Sequence, residues 1–68
     1  MSDNEINAAL EYVRLAKSVR FRKDEGRRQL KYHCRRSGVP GTRIRNVKQL
    51  ARAMLAIEGK DLWGNNPR

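Results

Sequence analysis

The chain has few of the residues that build chemical sites, and this scarcity limits the functions open to it. It contains one cysteine, Cys34, and one histidine, His33. A single cysteine excludes an intramolecular disulfide, and adjacent helical residues point about 100° apart, so this pair does not readily chelate one metal ion. We therefore expect no metal site, with Cys34 as a small buried residue and His33 at the edge of the core.

Groups suited to catalysis are also scarce. The paired carboxylates Asp24 and Glu25 are neighbours, which suits the first turn of a helix better than acid–base catalysis by two carboxyl groups facing a substrate. Residues 38–42, GVPGT, lack the glycine spacing and the Lys-Ser/Thr pair of a phosphate-binding loop. We therefore expect neither enzymatic activity nor a cofactor.

Long apolar runs are absent as well. The longest, residues 53–57, is far shorter than the roughly 18 apolar residues that cross a membrane. No charged start followed by an apolar stretch marks the chain for secretion. We therefore expect a soluble protein without a membrane partner, located in the cytoplasm with the nucleoid, or in the nucleus of a eukaryote.

Positive charge is what the chain has in excess. Sixteen Lys and Arg stand against seven Asp and Glu, which gives a net charge of +9 and a pI near 10.9. Residues 14–52 contain fourteen of the basic residues and only two of the acids. Self-repulsion of this size destabilises a small domain, so we expect an acidic partner, and nucleic acid is favoured.

The spacing of apolar residues predicts an all-α fold. They recur at three- and four-residue intervals, and the alternation typical of strands is absent. Sixty-eight residues form one domain, which we place at 1–63, with a flexible tail over 64–68. Three helices are expected: from Ser2 to about Arg20, from about Asp24 to Ser37, and from Thr42 or Asn46 to just before Gly59.

Local signals mark the ends of these helices. Ser2 and Glu5 have the spacing of a capping box, which begins helix 1. Gly38 and Gly59 suit the left-handed position after a helix, and Pro40 cannot continue helix 2. The chain therefore turns sharply between helices 2 and 3.

The apolar faces of the helices predict the core. Tyr12 and Val19 are expected at the flank of helix 1, and a short turn over 60–63 would bring Leu62 and Trp63 against the core. The predicted core consists of Ile6, Leu10, Val13, Leu30, Val47, Leu50, Met54 and Ile57.

Helix 2 is predicted to be the most basic element. Arg28, Lys31 and Arg35 recur at intervals of three and four residues and therefore share a face, with Arg27 beside it. Guanidinium groups suit bidentate contacts to phosphate, and binding of this kind weakens steeply with salt.

Residues 30–43, LKYHCRRSGVPGTR, resemble the SAP motif, a DNA-binding unit of helix, extended loop and helix. Val47 and Leu50 stand where that family places core residues of its second helix, so the resemblance covers residues 28–55. The loop between Gly38 and Gly41 is shorter than is usual for the family. Such modules bind double-stranded DNA, and the resemblance implies phosphate contacts from the backbone near Gly41 and from Lys31, Arg35, Arg43 and Arg45.

Residues 29–45 also resemble the helix-turn-helix of Cro and Xre-type repressors, with residues 47–63 as the closing helices. The end of the recognition helix is missing from this match, unless helix 3 itself reads the major groove. This second resemblance implies a sequence-specific transcriptional repressor that forms a homodimer. A SAP-like protein would instead be regulatory or architectural, with little base preference.

RNA and an acidic protein remain alternative partners. In the basic region only Tyr32, with Phe21 at its edge, offers stacking surface for unpaired bases, which disfavours RNA. We therefore predict a small basic protein that binds double-stranded DNA. The predicted contact residues are Arg27, Arg28, Lys31, Arg35, Arg36, Gly41, Thr42, Arg43, Arg45 and Lys48.

Overall fold

A computed structural model describes residues 2–65 and contains three α-helices. They are α1 (Asp3–Ser18), α2 (Lys23–Arg36) and α3 (Ile44–Ile57), and a 3-10 turn over Gly41–Arg43 leads into α3. No strand occurs in the described range. The predicted all-α fold of three helices is therefore confirmed.

Helix α1 packs against both other helices, which contact each other less. The end of α2, at Gly38, lies beside the start of α1, so α2 runs antiparallel to α1. Near the starts of α1 and α3, Glu5 accepts a hydrogen bond from Asn46. Near their ends, Lys17 contacts Glu58, so α3 runs in the same direction as α1.

The start of α1 has the predicted capping box. The Ser2 hydroxyl accepts a hydrogen bond from the backbone N–H of Glu5 at 3.3 Å, and the Glu5 carboxylate accepts the Ser2 N–H at 3.0 Å. Two backbone donors at the helix start are satisfied in this way. The helix ends at Ser18, slightly before the expected end, because the backbone at Val19 is extended.

Helix α2 ends at the predicted glycine. Gly38 has a φ of 76° and donates its N–H to Arg35 at 3.2 Å, while Val39 donates to Cys34 at 2.8 Å. These two hydrogen bonds form a Schellman motif, and Val39 is buried. Gly59, with a φ of 71°, ends α3 in the same way, so both predicted stops are confirmed.

The core differs from the predicted one at its edges. Leu10 is 49% exposed and Ile57 is 86% exposed, so placing them in the core was wrong. Tyr12, expected at the flank, is completely buried. The buried face of α1 carries alanines, which let the neighbouring helices approach closely and leave Leu10 at the rim. The buried apolar residues are Ala8, Ala9, Tyr12, Val13, Ala16, Phe21, Leu30, Cys34, Val39, Val47, Ala51 and Leu55.

The remaining predicted core residues lie at the rim of this core. Leu50 and Met54 are partly buried and pack against it, and Ile6 is partly buried. Within residues 2–65, no helix combines the length and the apolar character that a membrane span requires.

Residues 60–65 form a closed turn after α3. The Asp61 carboxylate accepts backbone N–H groups from Trp63 at 3.0 Å and from Asn65 at 2.8 Å. This carboxylate therefore organises the turn, as aspartate side chains commonly do in loops. Gly64 and Asn65, the first residues of the predicted tail, form hydrogen bonds within this turn, and residues 66–68 of that tail lie outside the described range.

The turn docks on α1 and α2. The Tyr12 hydroxyl donates to the Leu62 carbonyl at 3.0 Å, and the Phe21 N–H donates to the Trp63 carbonyl at 3.3 Å. Leu62 and Trp63 pack against the core, which confirms the predicted short turn. The docked turn thereby places the only tryptophan of the chain near the start of α2.

Candidate nucleic-acid interface

Helix α2 buries only a narrow stripe of residues against the core, and most of its exposed side chains are basic. Its buried residues, Gly26, Leu30 and Cys34, follow one another at four-residue intervals. A stripe of this kind covers only a small part of the helix circumference. All the predicted contact residues of α2 are therefore exposed: Arg27, Arg28, Lys31, Arg35 and Arg36.

An open groove lies between α2 and the first half of α3, and we call it the α2–α3 groove. Three cations and three apolar side chains line it. They are Arg27, Lys31 and Lys48, together with Leu30, Ile44 and Trp63. The fold thus brings two predicted contact residues of α2 next to one of α3, around an apolar floor.

Helix α3 extends the basic surface from Lys48 in the groove to residues that lie outside it. Arg45, Lys48 and Arg52 are exposed and recur at intervals of three and four residues, so they share one side of the helix. Arg52 was not among the predicted contact residues. Its spacing of four residues from Lys48 was the sequence signal that could have placed it on the same side of the helix.

Arg28 and Arg35 form a second group of cations on the outer side of α2. Both are exposed and lie seven residues apart. They project from the side of α2 that is roughly opposite the buried Leu30. Neither lines the α2–α3 groove. The row predicted from Arg28, Lys31 and Arg35 is therefore divided between the outer surface of α2 and the groove.

Few of these cations have an acidic partner. Among residues 2–65, the Lys and Arg side chains that reach a carboxylate within ion-pair distance are Arg14, Lys17 and Arg43. The other basic residues among the predicted contacts form no ion pair in that range, so no direct carboxylate contact offsets their positive charge there. These residues are Arg27, Arg28, Lys31, Arg35, Arg36, Arg45 and Lys48.

Arg43 differs from the other predicted contact residues because it contacts the interior. Its guanidinium lies 3.9 Å from the carboxylate of Glu5, which is only 2% exposed. Glu5 also accepts a hydrogen bond from Asn46 at 3.3 Å. Arg43 therefore links the starts of α1 and α3 through this ion pair, although its side chain is 57% exposed.

Glu5 is held in its charged form by these contacts. The hydrogen bonds from the backbone and side chain of Ser2 lower the pKa of Glu5 below its ordinary value, and Asn46 and Arg43 act in the same direction. A carboxylate that accepts several hydrogen bonds is favoured over its neutral form. Glu5 thus links the capping of α1 to the attachment of α3.

Arg36 lies apart from the groove. It donates a hydrogen bond to the Tyr32 hydroxyl at 2.9 Å, and its guanidinium carbon lies 5.6 Å from the centre of the Tyr32 ring. Both residues line a separate depression with Glu11, His33 and Ser37. The aromatic residue predicted in the basic region, Tyr32, therefore belongs to this depression.

Gly41 and Thr42 are exposed on the 3-10 turn before α3. A Cβ atom added at Gly41 would meet no atom within 4 Å, and the backbone there does not need a glycine. Folding therefore gives no reason for glycine at this position.

His33 and Cys34 lie on or next to the side of α2 that faces the core. Cys34 is completely buried and His33 partly buried, as predicted, and burial raises the pKa of the Cys34 thiol. Burial also lowers the pKa of His33, whose Nε2 has no hydrogen-bond partner within the described chain. Among residues 2–65, no three His, Cys, Asp or Glu side chains are grouped so that they could hold a metal ion.

Trp63 was predicted to pack against the core, but its position beside the basic residues of α2 was not predicted. A Cβ atom at Gly26 would overlap the indole of Trp63, so this glycine lets the ring lie directly on α2. A glycine inside a helical pattern often marks a close approach of another group. Gly26 was therefore the available signal, although it does not identify the group that approaches.

Comparison with known proteins gives no relative: no protein-family model, no curated protein and no solved structure matches this chain. Its function is therefore inferred from the distribution of charge and apolar surface on the fold.

Proposed function

We propose that this protein binds nucleic acid, with duplex DNA as its target, through phosphate contacts from α2, the loop and 3-10 turn over 38–43 and the first half of α3. The observation that carries the proposal is the set of exposed Lys and Arg side chains on α2 and α3 that lack an acidic partner in residues 2–65. A polyanion relieves their repulsion, and the release of its counterions favours binding.

The two family resemblances remain hypotheses about how the DNA is read. A SAP-like protein would bind duplexes with little base preference. A Cro-like protein would form a dimer and prefer one operator, and α3 would enter the major groove with the side that carries Arg45, Lys48 and Arg52. Competition between a selected site and random duplex, together with the mass of the protein in solution, distinguishes these hypotheses.

The test of the proposal is the salt dependence of binding to a labelled duplex, measured by fluorescence anisotropy. Each phosphate contact contributes about −0.9 to the slope of log affinity against log salt concentration. We expect the variant Lys31→Ala/Arg35→Ala to reduce the magnitude of the slope by about 2 and to lower the affinity about tenfold or more.

The matched control is Arg14→Ala/Arg20→Ala, which removes the same charge from residues outside α2 and α3. Both side chains are exposed, so folding should be unaffected. Equal losses in the two variants would mean that net charge alone attracts DNA, and would contradict the proposed interface. Absence of duplex binding at low salt, with retention of an acidic protein, would favour the acidic-protein alternative.

A further inference from the structure

We propose that the α2–α3 groove holds one unpaired nucleotide, with its base on the apolar floor and its neighbouring phosphates on Arg27, Lys31 and Lys48. This inference rests on the proposed function and deepens it. The groove receives a nucleotide that lies at a strand end, at a junction or at another unpaired position.

The apolar floor is what distinguishes the groove from the outer side of α2. Leu30, Ile44 and Trp63 form the floor, whereas Arg28 and Arg35 on the outer side offer charge alone. A duplex presents mainly phosphates and sugars, and its base faces are covered by stacking. An unpaired base has a free face, which can cover the apolar floor.

Trp63 is held in place before any ligand arrives. Its indole lies on Gly26 and packs against Tyr12 with the rings 6.4 Å apart at 81°. Its backbone N–H donates to Asp61 and its carbonyl accepts from Phe21. A ring that is already fixed loses little conformational freedom on binding, which favours its use as a stacking surface.

The cations lie on both sides of this floor. Arg27 and Lys31 come from α2, and Lys48 comes from α3. A nucleotide within a strand has a phosphate on each side of its sugar, so a strand that crosses the groove can contact both helices. This arrangement fits a planar group with apolar faces between two anions, and a nucleotide within a strand supplies the base and the two flanking phosphates.

The test uses the fluorescence of the full chain, because Trp63 is its only tryptophan. The protein is titrated at low salt with a single-stranded oligonucleotide, a blunt duplex, and the same duplex with a short unpaired overhang. Anisotropy of a label on each nucleic acid reports binding, and Trp63 emission reports occupation of the groove. We expect the emission to change with the single strand and the overhang, and to stay unchanged with the blunt duplex.

Variants identify the groove independently of the emission. Lys48→Ala and Trp63→Leu should lower the ratio of overhang to blunt-duplex affinity, by about tenfold for the tryptophan variant. Arg35→Ala is the matched control, because Arg35 lies outside the groove and should weaken both substrates equally. Lys48 is exposed, so its variant decides the question if Trp63→Leu does not fold.

The outcomes separate this inference from the proposed function. Binding of all three nucleic acids with unchanged Trp63 emission would overturn the groove assignment and leave the proposed function standing. An equal emission change with the blunt duplex, or an affinity ratio that Lys48→Ala does not alter, would also overturn it. Absence of binding to every nucleic acid would contradict both.

Discussion

The two surfaces of α3 differ in how they meet their neighbours. Its contact with α1 is tied by polar groups at both ends, through Asn46 with Glu5 near the start and Glu58 with Lys17 near the end. Its contact with α2 has cations on both sides, Lys31 and Lys48, and stays open as a groove. A hydrogen bond and an ion pair link the first contact, whereas like charges line the second.

This difference separates the part of the molecule that holds the fold from the part that carries the exposed cations. Helix α1 supplies Ala8, Ala9, Tyr12 and Ala16 to the buried core and packs against both neighbours. The cations of α2 and α3 add little to that packing and repel one another. Stability and binding should therefore respond to different substitutions.

The largest expected effect on stability comes from adding a methyl group at Gly26, where the indole of Trp63 lies against the helix. In Gly26→Ala the new methyl group would overlap the indole. Better helix propensity contributes about 1 kcal/mol in favour of alanine, but overpacking costs about 1–3 kcal/mol. Because the new methyl group would overlap three atoms of the ring, the overpacking cost lies at the upper end of this range, and we expect the free energy of unfolding to fall by about 2 kcal/mol, measured by urea denaturation.

Gly41→Ala is the control for this substitution, because open space surrounds its Cβ position. It should change the free energy of unfolding by less than about 0.5 kcal/mol. Equal effects at the two glycines would mean that the groove floor is not built on close contact with α2.

A smaller effect is expected from Tyr12→Phe, which removes the hydrogen bond to the Leu62 carbonyl. Loss of one such bond costs about 1 kcal/mol. Urea denaturation should show this loss, whereas Tyr32→Phe at an exposed site should change stability by less than about 0.5 kcal/mol. If Tyr12→Phe has no effect on stability, the docked turn is not held to α1 by this bond.

The smallest effect concerns the contact between α1 and α3 in acid. Because Ser2, Asn46 and Arg43 lower the pKa of Glu5, its contribution to stability is complete above the ordinary value of 4.5. It is lost as the pH falls below 4.5 through the lowered pKa. Urea denaturation at several pH values should therefore show a decline in stability over this range.

Glu5→Gln checks the origin of that decline. Its stability should be lower than that of the unmodified protein at neutral pH, and the difference should shrink in acid. The lowered pKa of His33 also makes protonation unfavourable, but that change begins at a higher pH and remains in the variant. Parallel curves for the two proteins would exclude Glu5 as the source.

The start of α1 and the ends of α2 and α3 could be predicted because their causes are local. Ser2 with Glu5, and Gly38 with Val39, act within one turn of helix, so the sequence nearby contains the whole signal. The exposed basic positions of α2 follow from its short apolar stripe in the same way. The functions assigned to those positions remain predictions.

The core of α1 and the groove could not be predicted because they depend on distant parts of the chain. Apolar residues cover a wide side of α1, and packing against two helices decides that Tyr12 is buried and Leu10 is exposed. Trp63 reaches α2 only through the turn that Asp61 organises. Neither contact leaves a periodic pattern in the sequence.

The parallel arrangement of α1 and α3 has a consequence for the order of folding. The α1–α2 hairpin closes through a short loop, whereas the bond from Asn46 to Glu5 joins residues 41 positions apart, and that from Tyr12 to Leu62 spans 50. Contacts between distant residues carry a larger entropic cost and tend to form late. We therefore expect the groove, which needs α3 and Trp63 in place, to form late in folding, because its two sides and its apolar floor come from distant parts of the chain.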